Sequence, residues 1–246
     1  GASGTAPIAM ALAGDLFSGG TQSKSLGVIE ASNGIGKAMS PIIGSLLALV
    51  VWYAPFFAFP AFCLVSLLCV AFLIREPKRT KKPLAWKAYM ADIKGVFRQH
   101  GKWLAAAFTA GSLALFILFG VLFYLSDVLE KKPHNMDGVI KGLVLAIPLV
   151  GMVVTSYTTG SLIKKNGRAM RLLMLAGLGL MAVSLALTAF VFKNLFWFIG
   201  LVTASSVGTG FLLPCLNSLI TGSVDTEKRG MITSLYSSLR FFGVAF

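Results

Sequence analysis

A chain of 246 residues that is 56% hydrophobic and only 13% charged lies far from the roughly 25% charged of an ordinary soluble domain. Its apolar runs exceed the roughly 18 residues that mark a membrane-spanning helix, which excludes a soluble protein with an outsized core. The net charge of +13 reads as a topogenic signal and a contact with anionic lipid, because the basic segments lack the interleaved aromatics of a nucleic-acid groove.

In chain order, residues 1–17 read as the later part of a helix, with Asp15 at its inner end as a gate or cap residue. Spanning helices are predicted over residues 28–51, 54–74, 103–126, 143–163, 172–192 and 196–221, and residues 231–246 read as the opening of another. With no initiator Met and no signal peptide, the chain reads as an internal segment of a longer protein.

The segment 75–102 holds nine Lys or Arg (Arg75, Lys78, Arg79, Lys81, Lys82, Lys87, Lys94, Arg98 and Lys102) against Glu76 and Asp92, while the turn around Trp52 holds none. Positive loops stay in the cytoplasm. Alternation then sets Lys164, Lys165, Arg168, Arg171, Lys228 and Arg229 inside and residues 127–141 outside. The chain divides accordingly into the end of an N-terminal helical half (1–74), a basic cytoplasmic inter-half loop (75–102) and an incomplete C-terminal half (103–246).

Other chemistry is thinly represented. Cys63, Cys69 and Cys215 sit in apolar segments without metal-ligand or disulfide spacing and read as small core residues. His100 and His134 fall in loops on opposite sides of the membrane, away from any proton relay. No glycine-rich phosphate loop follows a strand, so neither a catalytic residue, a metal, a cofactor nor ATP-driven transport is expected.

The most informative feature is a parallel internal echo. Lys24-Ser25-Leu26-Gly27 followed by Glu30, Asn33 and Lys37 is matched by Glu227-Lys228-Arg229-Gly230 followed by Thr233, Tyr236 and Arg240, with a cation ten residues after each glycine. Gly1 and Pro7 fall opposite Gly208 and Pro214. Ten residues of helix carry Lys37 and Arg240 about 15 Å inward, half-way through a hydrocarbon core of about 30 Å. A charge there costs on the order of 2.5 to 3.5 kcal/mol, so both should face a watery cavity or a partner. Glu30, Asn33 and Lys37 share one helix face, as do Tyr236 and Arg240. Structural pairing and a substrate cavity are both open to Lys37 and Arg240. Glu30, only about 5 Å in, is expected to snorkel or pair near the interface, and Asn217 to bond between helices. The two central cations favour solutes with a carboxylate or an electron-rich ring. Gly27, Gly34, Gly36, Ser40, Pro41, Gly44 and Ser45 give their helix a small-residue face suited to close approach, with Pro41 removing a backbone bond in its middle.

Gly27, Gly36, Ser40-Pro41 and Gly44-Ser45 resemble the antiporter motif on the fifth helix of major facilitator drug exporters, with serine at two positions where glycine is usual. Gly1-Ala2-Ser3-Gly4-Thr5-Ala6-Pro7 resembles the end of the fourth-helix motif. Gly160, Leu162, Gly167 and Arg168 resemble the second-half form of the loop motif that gates the cytoplasmic side, although Lys164 stands where the first-half form has Asp. The phrases Ser32 to Lys37 and Ser234 to Arg240 are similar to a branch of aromatic-compound and drug exporters.

This resemblance implies an all-α membrane protein of major facilitator fold, covered from about the fourth helix to the start of the eleventh of twelve. It implies a monomeric carrier in the plasma (inner) membrane that exchanges protons for small organic solutes by alternating access. A metabolite or sugar carrier of the same fold, and a non-transporting membrane sensor or assembly partner, are the alternatives.

Overall fold

The computed structural model describes residues 5–73, 86–163, 166–191, 194–224 and 226–244. Every regular element among them is an α-helix: α1 (Thr5–Leu16), α2 (Gly19–Val50), α3 (Ala54–Leu73), α4 (Trp86–Glu130), α5 (Gly138–Leu162), α6 (Gly167–Val191), α7 (Leu195–Gly222) and α8 (Thr226–Phe242). Six helices are long and apolar enough to cross a membrane, and they correspond to the six predicted spans. Gly1 to Gly4, the cations Arg75, Lys78, Arg79, Lys81 and Lys82, and the motif position Lys164 lie outside the described residues.

Local signals set the helix ends. Gly19 takes a φ of +67°, a left-handed conformation that glycine adopts without strain, and this turns the chain from α1 into α2 within two residues. The Asn166 carboxamide oxygen accepts from the backbone N–H groups of Arg168 and Ala169, and Asn194 accepts from Phe196, so α6 and α7 begin with capped donors.

Two boundaries differ from expectation. α4 starts at Trp86 instead of residue 103, so the described part of the basic segment is a continuation of the helix and His100 lies in α4, not in a loop. Hydropathy marks only the apolar part of a helix, and its polar extension is invisible to it. α2 starts at Gly19, eight residues before Gly27, which places Glu30 about 16 Å from the helix start rather than about 5 Å.

The core sits where α2, α4, α5, α7 and α8 converge, around Leu104, Leu115, Met152, Leu213 and Ile232. Outward faces carry large apolar side chains such as Phe56, Phe72, Phe123, Phe190 and Phe196, an arrangement suited to lipid, where no hydrophobic penalty attaches to exposure. The same exposure corrects the reading of two cysteines: Cys63 and Cys69 lie on the open surface of α3, and only Cys215 is a core residue.

Candidate functional site

The site lies where the two groups of helices meet, α1–α3 on one side and α4–α8 on the other. Their principal seam is the antiparallel packing of α2 on α5. A Cβ on Gly27 would stand 2.6 Å from the Gly160 Cα, and the reverse holds equally, so the backbones touch at a point that only glycine permits. Gly34 meets Met152 and Val153 farther along, and the Pro41 carbonyl then meets Gly142. Gly27, Gly34 and Pro41 are spaced by seven residues and therefore share a face. Gly36, Ser40 and Gly44 point elsewhere, into an apolar groove of about 850 Å³ shared with Phe59 and Phe62 of α3. The small residues of α2 thus form two faces instead of one.

Across this seam lies a buried polar cluster built from three helices. Arg240 of α8 grips Glu30 of α2 with both ends of its fork, Nη1 to Oε2 at 3.2 Å and Nη2 to Oε1 at 3.3 Å. Asn217 of α7 donates from Nδ2 to Glu30 Oε2 at 2.9 Å and accepts from Arg240 Nη1 at 3.4 Å. Glu30 is 0% exposed, and Arg240 and Asn217 each 1%. Glu30 therefore pairs but does not snorkel: its carboxylate is sealed inside, because the helix extends beyond the point from which its depth was reckoned. Fork geometry with a third partner is what lets a desolvated pair survive in a low-dielectric interior.

Arg240, expected as one of two cations facing a cavity, is thus neutralised by Glu30. Lys37 is not. Its Nζ is buried without a hydrogen-bond partner among the described residues, and its nearest described aromatic contact is the Phe119 ring, 5.9 Å to the centroid. Asn33 Nδ2 is likewise buried without a hydrogen-bond partner among the described residues. The Tyr236 ring lies 5.7 Å from the Arg240 guanidinium and packs on Phe108 at 5.5 Å between centroids. The structure therefore gathers Glu30, Asn217, Tyr236 and Arg240 in one cluster, while Asn33 and Lys37 follow one and two turns farther along the same face of α2.

A second contact between the two groups closes the end that carries Asp15. Arg229 Nη1 donates to Asp15 Oδ1 and to the Gly14 carbonyl, each at 2.6 Å, while Nε donates to the Thr221 carbonyl at 2.9 Å. Nearby, the Ser23 and Ser218 hydroxyls hydrogen-bond at 2.9 Å. Of the residues expected at a gate, Asp15 is in this contact. Gly160 is at the α2–α5 crossing instead, and Gly167 and Arg168 stand exposed at the start of α6.

Sequence reasoning passed over Arg229 as a site residue, although its place beside Gly230 in the second repeat was a usable signal. Phe119 carried none, being one of 19 phenylalanines.

Comparison with known proteins places these features in a family. The profile of the Major Facilitator Superfamily matches residues 1–246. Over its whole length the chain is 41% identical to a bacillibactin exporter of Bacillus subtilis (strain 168), covering 61% of that protein. It is 23% identical to the class C tetracycline resistance protein of Escherichia coli, with 96% of this chain and 59% of the relative aligned. For the multidrug efflux protein YfmO of Bacillus subtilis (strain 168) the identity is 25%, over 92% of this chain and 54% of the relative. The chain therefore spans between about half and three fifths of the length of these relatives.

Proposed function

The chain belongs to the Major Facilitator Superfamily, and from that premise we propose that this multi-pass membrane protein is a secondary active exporter, moving small organic solutes outward across the plasma membrane in exchange for protons. It works as a monomer by alternating access, residues 1–74 and 103–246 belonging to opposing halves joined by a cytoplasmic segment, 75–102. The relatives named for export, resistance and efflux support the outward direction.

One observation carries the mechanism. The Glu30–Arg240 pair joins the two halves at a buried level, so the halves cannot part there while both charges stay bonded. Separating them in a dry interior costs several kcal/mol per ion. The transporter must therefore offer replacement partners, water or solute, as it opens. That requirement makes Glu30, Asn33, Lys37, Asn217, Tyr236 and Arg240 the lining of the solute site. The contact of Asp15 with Arg229 is the cytoplasmic gate, which is shut here, with the Gly27–Gly160 crossing as its pivot and Gly167 and Arg168 at its rim. Pro41 packs α2 against α5, whereas Gly36, Ser40 and Gly44, expected to serve close packing, line the open groove beside α3.

The test is solute-driven proton movement by the full-length protein in proteoliposomes carrying an internal pH dye. Adding an exported solute to one side should move protons the opposite way. Solute flux with no proton movement, at any imposed pH gradient, would replace antiport with facilitated transport; the absence of flux for every solute would remove the transport reading.

A further inference from the structure

One guanidinium closes the end that carries Asp15, and most of what it holds is backbone. Arg229 Nη1 donates to the Gly14 carbonyl as well as to Asp15 Oδ1, and Nε donates to the Thr221 carbonyl. Gly14 lies in the last turn of α1 and Thr221 in the last turn of α7, where the final four carbonyls of a helix have no intrahelical partner. A helix C-terminus also carries negative partial charge. Arg229 therefore satisfies two helix ends at once, one from each group of helices. Its own position argues the same way. It stands in the first turn of α8, where a cation opposes the dipole of its own helix, so the groups that hold it there are the ends of α1 and α7.

Burial ranks the three bonds. Gly14 and Thr221 are buried, whereas the Asp15 side chain is 42% exposed. A charge-assisted bond to an enclosed carbonyl keeps its strength, while an ion pair open to water loses most of its own. Close approach fixes the geometry. A Cβ on Gly14 would collide with Thr221 Cγ2 and stand 2.7 Å from Arg229 Cδ, so the arginine stem lies directly on the last turn of α1 and its planar fork reaches both carbonyls. An ammonium is a single point on a flexible stem and has no second nitrogen to place on the second helix end. The Arg229 side chain is itself 13% exposed, so water replaces its acceptors as the end opens.

We propose that Arg229 is the latch of the cytoplasmic gate, clasping the C-terminal carbonyls of α1 and α7, and that closure does not need the charge of Asp15. The inference rests on the gate assignment above and moves the closing force from the ion pair to the two helix ends.

The experiment uses the full-length protein freed of its native cysteines and carrying Ser23→Cys as reporter, because Ser23 is 2% exposed and is uncovered when this end opens. A membrane-impermeant maleimide is added to inside-out membrane vesicles, and the labelling rate is read. Asp15→Asn should be labelled within about fivefold of the parent, the span of an exposed pair. Arg229→Lys, which keeps the charge, should be labelled about tenfold faster or more, and Arg229→Gln at least as fast. A gate held by the ion pair gives the opposite order, so Asp15→Asn labelled as fast as Arg229→Lys, or faster, overturns the clasp. Arg229→Gln as slow as the parent overturns it as well. Where Arg229→Lys does not reach the membrane, Asp15→Asn decides alone: a rate within about fivefold of the parent supports the clasp, and a larger rise overturns it. Labelling of the parent in right-side-out vesicles only would put this end outside, which removes the gate assignment and this inference with it.

Discussion

Glu30 is the residue through which α2 binds α7 and α8. Its carboxylate receives three hydrogen bonds from these two helices, and its partner Arg240 is as deeply enclosed as itself. Removing one member of such a pair leaves a buried charge with no counter-ion, which costs about 3–5 kcal/mol, far more than the pair contributes over an apolar replacement. Glu30→Gln in the full-length protein should therefore lower the thermal midpoint in detergent markedly, and the exchanged double variant Glu30→Arg/Arg240→Glu should recover part of it. Additive losses in the double variant would show that the two side chains do not sense each other. The sequence made half of this legible. Spacing put Glu30, Asn33 and Lys37 on one face and Tyr236 with Arg240 on another, and the repeat put Lys37 and Arg240 at equivalent depths. That the carboxylate of the first repeat answers the guanidinium of the second, leaving Lys37 Nζ without a hydrogen-bond partner among the described residues, depends on how α2 meets α8, and no local pattern encodes that meeting.

α2 shows where element-level reading succeeds and where it stops. Its apolar content announces a spanning helix, and its glycines announce close packing, but the same motif serves two neighbours. Positions 27, 34 and 41 recur every seven residues and meet α5, while 36, 40 and 44 recur every four and line the groove with α3. Composition alone could not separate them; helical phase does. A side chain at Gly160 would collide with the Gly27 backbone, where neither helix can yield without separating. Gly160→Val should accordingly abolish transport and lower the thermal midpoint, whereas Gly36→Ala, with nothing within 4 Å of its added carbon, should be neutral or stabilise by up to about 1 kcal/mol through helix propensity. Equal damage from both, measured by melting and by proteoliposome flux, would mean that the α2–α5 crossing is not the tight point. Helix ends were the weakest part of the reading for a related reason. The polar first turns of α2 and the polar first part of α4 fold as helix because they continue one, not because their own hydropathy demands it.

At the scale of the molecule, two sets of bonds join α1 and α2 to α7 and α8 at different levels: Glu30 to Arg240 inside, and the Asp15–Arg229 and Ser23–Ser218 contacts toward one end. Their energies differ in kind. Asp15 is 42% exposed in its side chain, so its pair with Arg229 contributes at most about 1 kcal/mol and can open thermally, whereas the inner pair cannot open without new partners. An end that opens easily over an inner pair that resists is what a gate above a solute site requires. The Ser23 and Ser218 hydroxyls, 2.9 Å apart, offer a way to hold that gate shut without touching the inner cluster. In a full-length background with Cys63, Cys69 and Cys215 replaced by serine or alanine, Ser23→Cys/Ser218→Cys should cross-link under mild oxidant. If α2 and α7 belong to opposing halves as proposed, the bond prevents their separation at that end, so flux should fall to the level of empty vesicles and return on reduction. Each single cysteine variant should transport with and without oxidant. Cross-linked protein that still transports at the uncross-linked rate would mean that the halves do not part at this end, and the alternating-access assignment of the Asp15 contact would fall with that result.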